Sequence, residues 1–322
     1  MSTINRSDSK DAFKLDDQVL DCGRDKEKAL RLAKEGYKVK LDLSFDNSLT
    51  DVSDLCGVYY LDLTACKSIT DVSALSGVHT LILRGCCNIK DVSDLGKVYH
   101  LNLEDCCNII DVSALGKVHT LILKGCNIID VSALSKVHTL DLSHCYGIAD
   151  VSTLGEVHNL DLSYCRNLID VSALGKVRIL DLSGCHKITD VSALVNVHTL
   201  DLSCCYNLVD VSALGGVHTL ILSYCKKITD VSALGKVHTL DLSWCDNITD
   251  VSALGKVCVL NLRECMNLVD VSALGGVHTL ILSFCKKITD VSALGGVHTL
   301  ILKGCNNITT DLSTLHKVHI IF

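Results

Sequence analysis

Fourteen aspartates recur along this chain at an almost constant interval: Asp51, Asp71, Asp91, Asp111, Asp130, Asp150, Asp170, Asp190, Asp210, Asp230, Asp250, Asp270, Asp290 and Asp311. The step is 20 residues, broken once by 19 (Asp111 to Asp130) and once by 21 (Asp290 to Asp311). The unit reads V-H-T-L-D-L-S-x-C-x-x-I-T-D-V-S-A-L-G-K. A 60-residue super-period lies over it, so that VHTLILSYCKKITDVSALG at 217–235 returns at 277–295 with one substitution. Such a period is the signature of a stack of short units, none able to bury its apolar face alone. A catalytic site needs one constellation, and a constellation copied in every unit is architecture.

The apolar phase says how the units stack. In V-x-x-L-x-L the two leucines are two apart, so a strand turns both to one face, as with Leu160 and Leu162 around Asp161. The later Ile or Leu, Val and Leu of I-T-D-V-S-A-L point the same way. Stacked units then share one continuous core and one parallel sheet. The leading segment differs. DKEKALRLAKEGYK places Ala29, Leu30, Leu32 and Ala33 among charges and ends near Gly36, the pattern of a helix and its stop. The chain therefore divides into a tail and capping helix at 1–37 and a solenoid of about fourteen repeats, plus a partial last strand, at 38–322. The end at VHIIF (318–322) leaves an open apolar edge, an association risk that makes a homo-oligomer through these residues an expectation.

The run LxxLxLxxC followed by xxIT resembles the cysteine-containing class of leucine-rich repeats. The segment ITDVSALGKV is similar to the ITDISPLANL of bacterial internalins, without its proline. This resemblance covers about 38–322. It implies an α/β-type, mostly β, leucine-rich-repeat rod with one long parallel sheet. Units this short leave room on the back for turns or short 3-10 segments. The family mostly binds proteins. Its cysteine-containing members often serve as substrate receptors of ubiquitin ligases behind an F-box, but thirty-seven leading residues without proline are too few for that module, so this role would need the adaptor on another chain.

Three ladders accompany the leucines. One cysteine per unit runs from Cys66 to Cys305, with Asp46 in its place in the first full unit. Zinc asks for paired ligands in a tetrahedron, whereas this pattern gives a buried thiol that closes each strand and donates to a neighbouring carbonyl. Cys87, Cys107 and Cys204 lie off the ladder and are the more reactive candidates. The Asp of D-V-S suits the start of a helical turn and lacks the several oxygens per ion that calcium requires. A histidine column, at His79, His119, His138, His158, His198, His218, His238, His278, His298 and His319, precedes the strands. Stacked imidazoles repel when protonated, so acid is expected to loosen it. No metal, cofactor or catalytic set is expected.

The informative surface is the exposed sheet face. Between the leucines lie Asp141, Asp161, Asp181 and Asp201, an acidic stripe suited to a basic partner. Further on, the same slot holds Ile221, Ile281 and Ile301. The position before the ladder cysteine is the most variable in the repeat and holds Tyr164, Tyr224, Trp244 and Phe284. Aromatics of this kind anchor binding hot spots, which makes Tyr164, Tyr224, Trp244, Ile281 and Phe284 the candidate partner-binding residues. A net charge of −7 without a basic stripe argues against nucleic acid. The absence of a long apolar run argues against a membrane span, and the lack of an apolar leader points to a cytoplasmic, intracellular protein. The resulting expectation is a non-enzymatic scaffold that binds another protein. The alternative is a self-assembling structural protein joined through its last strand.

Overall fold

The computed structural model describes residues 18–322; the polar tail at 1–17, including the sequon at Asn5, lies outside the described residues. The chain forms two compact units, one ending at Ile148 and one beginning at Ala149. In the first unit, strands run in sequence order from Leu20–Asp21 and Val39–Asp42 to Thr139–Asp141, each parallel to the one before. In the second they run from Asn159–Asp161 to His319–Ile321 in the same manner. The register is leucine on leucine at every step from Leu180 to Leu300, which a spacing of 20 imposes.

Each coil buries the same set. In one of them Val217, Leu220, Leu222, Cys225, Ile228, Val231 and Leu234 are all at most 3% exposed. Burying each aliphatic contributes roughly 1.5–3 kcal/mol, and the next coil covers what the previous one leaves open. On the back, short 3-10 segments such as Ser232–Leu234 and Ser252–Leu254 return the chain to the next strand. The Asp of D-V-S sits one residue before the formal cap of each. Asp250 Oδ1 accepts the N–H of Ser252 at 2.9 Å, an Asx turn that starts the segment. Hydrogen bonds to that Ser hold these carboxyls below their usual range.

The leading coil is built differently. Its back segment is the α-helix Lys26–Lys34, begun by Asp25, whose carboxylate accepts the Lys28 N–H at 2.9 Å. It ends at Gly36, φ +90. Lys26 reaches Asp54 on the neighbouring back segment at 2.9 Å. The sheet starts earlier than position 38: Leu20–Asp21 pairs with Val39–Lys40. Two isolated residues carry no readable period, so this strand is not legible in the sequence. Among the described residues no helix is long and apolar enough to cross a membrane.

Candidate interaction surface

The three ladders take their places on the coil. The cysteine thiols point inward. Cys225 Sγ donates to the carbonyl of Leu202 at 3.1 Å, and Cys245 Sγ to that of Leu222 at 3.1 Å. The same bond recurs in the first unit, where Cys106 reaches Leu83 at 3.1 Å. Each thiol thus adds a second donor to a buried carbonyl one coil back, which already accepts the N–H of its own coil's ladder cysteine, as Leu202 does from Cys205 at 3.1 Å. Burial pushes the Cys225 thiol up to about 12, which keeps it protonated and inert. Asparagines past the cysteine add a second cross-coil bond: the Asn247 side-chain amide donates to the Lys226 carbonyl at 2.7 Å.

The histidines stack. In the first unit Tyr59, His79, Tyr99, His119 and His138 form a pile of near-parallel rings with centroids 4.4–5.0 Å apart. In the second, His198, His218 and His238 stack at 4.7 and 4.6 Å. Each Nδ1 meets the next residue's hydroxyl, as in His218 and Thr219 at 3.3 Å. His100 stands off the column, where other coils have Thr80 or Thr120. It is half-buried edge-on between Tyr99 and the His79 and His119 rings. Burial first, then those two histidines, pull it down to about 4. The unfolded chain binds this proton below about pH 6.5, the fold only below about 4. The fold therefore holds fewer protons in that window, and its stability is full above 6.5 and declines as pH falls toward 4. After discount for partial exposure we expect a loss of about 1–2 kcal/mol. Melting at pH 7.5 and 5.0 checks it, and His100→Thr, which restores the repeat, should flatten most of the slope.

The acidic slot between the leucines has a structural use that spacing does not reveal. Asp161, Asp181 and Asp201 each accept the N–H of the serine two residues on at 2.8 Å, and Asp141 does so for Ser143 at 2.9 Å. These carboxylates are half-buried and start the turn that ends the strand. Burial raises the Asp141 carboxyl against the lowering by Ser143. Asn102 and Asn261 make the same bond in their coils. Where the slot holds isoleucine it is half-buried at Ile221, Ile281 and Ile301 and buried at Ile122.

The slot before the cysteine is more informative. It lies at the end of the strand and takes a left-handed backbone: φ is +59 at Tyr164, +63 at Tyr224, Trp244 and Phe284, and +73 at Gly184. The Cys225 N–H bonds the Leu222 carbonyl at 3.1 Å, and the Tyr224 N–H bonds the Ser243 carbonyl at 2.9 Å. These bonds fix a turn with positive φ at its third residue. The glycines at 85, 125, 184 and 304 were the signal for this in the sequence. The side chains on this column lie along it. Tyr224 and Trp244 stack at 5.2 Å with planes 9° apart. The Phe284 ring covers Gly304, and the Tyr164 ring covers Gly184, so closely that a Cβ there would meet them at 2.4 and 2.7 Å. Arg263 lies over Phe284 at 5.2 Å. Tyr224 is exposed and Tyr164, Trp244 and Phe284 are half-exposed. The sequence reading missed Tyr206 and His186, one place past the ladder, whose rings stack at 4.8 Å with Tyr206 44% exposed.

Comparisons place this geometry among known proteins. The family model described as Leucine Rich repeat matches residues 176–195 and 236–254. The structure is similar to the internalin InlF of Listeria monocytogenes, at 21% identity and a TM-score of 0.58, over 91% of this chain and 88% of that one. It is similar to the functional domain of InlJ from the same organism, described as including a cysteine ladder, at 22% identity and a TM-score of 0.58, over 88% of this chain and 72% of that one. A leucine-rich-repeat protein of Leptospira interrogans matches at 18% identity and a TM-score of 0.55, over 93% of this chain and 99% of that one. No curated protein matches the sequence. With leucine on leucine in register, a buried thiol at each strand end and 3-10 segments on the back, the chain has the internalin-type leucine-rich-repeat fold with a cysteine ladder.

Proposed function

We propose that the chain is a non-catalytic scaffold that binds a partner protein through the strand-end column of its second unit, with Tyr164, Tyr224, Trp244 and Phe284 as anchors and Ile281 beside them. The observation that carries this is the backbone under the rings. A left-handed conformation costs a non-glycine residue about 1–2 kcal/mol, and glycine fills the same slot at 184 and 304. The fold can be made with glycine there, so the rings answer to something other than folding. A rigid array of part-exposed aromatics loses little entropy on binding. Asp161, Asp181 and Asp201 form an acidic flank suited to a basic patch on the partner. A cytosolic location goes with this reading, supported by thiols used as hydrogen-bond donors in coil after coil. The test is affinity capture by the wild type beside a variant carrying glycine at positions 164, 224, 244 and 284. A partner bound by both equally would reject the site.

One observation favours a second reading, self-association through 318–322. The strand His319–Ile321 pairs with Thr299–Ile301, and Ile321 and Phe322 are 40% and 72% exposed. Exposed apolar side chains of this kind favour association. Light scattering after size exclusion at roughly tens of micromolar decides it: a clean monomer removes this reading.

A further inference from the structure

In a molecule made of copies, information sits where one unit departs from the rest. The place after the ladder cysteine is filled by Lys67, Tyr146, Arg166, His186 and Lys226 in other coils, but by Cys87 and Cys107 in two adjacent ones. The two thiols meet. Their sulfurs are 3.8 Å apart, and both donate to one carbonyl, that of Asp105, at 3.3 Å each. Asp105 is held in the left-handed conformation, φ +59, which turns its carbonyl to the pair. Cys107 is exposed and Cys87 partly so. The neighbouring ladder thiols, Cys86 and Cys106, are fully buried, and burial pushes Cys86 up to about 12. Reagents in solution therefore reach one member of each Cys-Cys dipeptide and not the other.

The geometry points to Cys87 and Cys107 as a dithiol that closes reversibly to a disulfide between adjacent coils, with a low-molecular-weight disulfide as oxidant. Closure takes the sulfurs from van der Waals contact to a bond of about 2.05 Å. The exposed Cys107 thiolate attacks one sulfur of the small disulfide and expels the other half as a thiolate. The Cys87 thiolate then attacks Cys107 Sγ and expels the second half. The protein loses two electrons and two protons, and the small disulfide gains both and leaves as two thiols. This site is independent of the aromatic column and of what that column binds.

The test uses the folded chain and oxidised glutathione, followed by blocking with N-ethylmaleimide and tryptic digestion. Residues 85–90 and 98–117 fall in separate peptides. They should be recovered linked, and dithiothreitol should part them. Maleimide labelling of Cys107 should fall at least tenfold on oxidation and return on reduction. In Cys107→Ser the link should vanish, leaving at most a glutathione adduct on Cys87. In the double variant Cys86→Ser, Cys106→Ser it should persist, and circular dichroism confirms that each variant is folded. The proposal is overturned if the peptides never link, if linkage survives Cys107→Ser, or if its rate rises with protein concentration.

Discussion

Leu222→Ala is expected to cost about 3–4 kcal/mol, near the middle of the range for a fully buried leucine that leaves a cavity. Leu222 is 0% exposed, and its surroundings cannot collapse into the space. The backbone at that point is tied three ways: its N–H bonds the Asp241 carbonyl at 2.8 Å, and its own carbonyl accepts the Cys225 N–H and the Cys245 thiol, both at 3.1 Å. The coils on either side are pinned by the same set of bonds, so the cavity stays. Ile221→Ala, one residue away and half-buried on the opposite face of the strand, should cost about 1 kcal/mol or less. Urea denaturation of the two variants reads the contrast. Equal losses would mean that the alternation of faces is wrong.

The aromatic column yields the other large effect, and it is one of affinity. Changing Tyr164, Tyr224, Trp244 and Phe284 to glycine should weaken partner binding at least 100-fold, since a single hot-spot aromatic contributes about 2 kcal/mol or more. Stability should barely move. Each change relieves about 1–2 kcal/mol of left-handed strain, and Tyr224 and Trp244 lose the one stacking contact they share, worth about 0.5–1.5 kcal/mol. The Tyr224–Trp244 pair is the clearest case, because its rings meet each other and solvent, not the core. A variant that melts like the wild type and has lost its partner supports the surface. One that is strongly destabilised shows instead that the rings belong to the fold.

The core was legible because a period of 20 with leucines two apart admits one arrangement: identical strands side by side, each burying the same face. From that follow the parallel register, the inward cysteine and the back segment behind Asp-Val-Ser. The adjacency of Asp161, Asp181 and Asp201 on neighbouring strands is visible in the alignment of units. Their bonds to Ser163, Ser183 and Ser203 are local and belong to the turn. The strand at Leu20–Asp21 lay outside any repeat and had no pattern to betray it. The variability of the column before the cysteine is plain in the sequence, whereas its positive-φ turn geometry shows there only through the glycines at 85, 125, 184 and 304.

The sequence by itself determined the architecture, because repetition makes each unit the template for the next and hydrophobic burial leaves a single phase. Tertiary structure decided what the exceptions do. Two cysteines 20 residues apart become a 3.8 Å pair, and Tyr224 and Trp244 become one stacked surface. His100 becomes a titrating group set edge-on against His79, Tyr99 and His119 of the stacked column. Each outcome depends on which side chains coiling brings within a few ångströms of one another. A single unit does not contain that distance, and only the stack creates it.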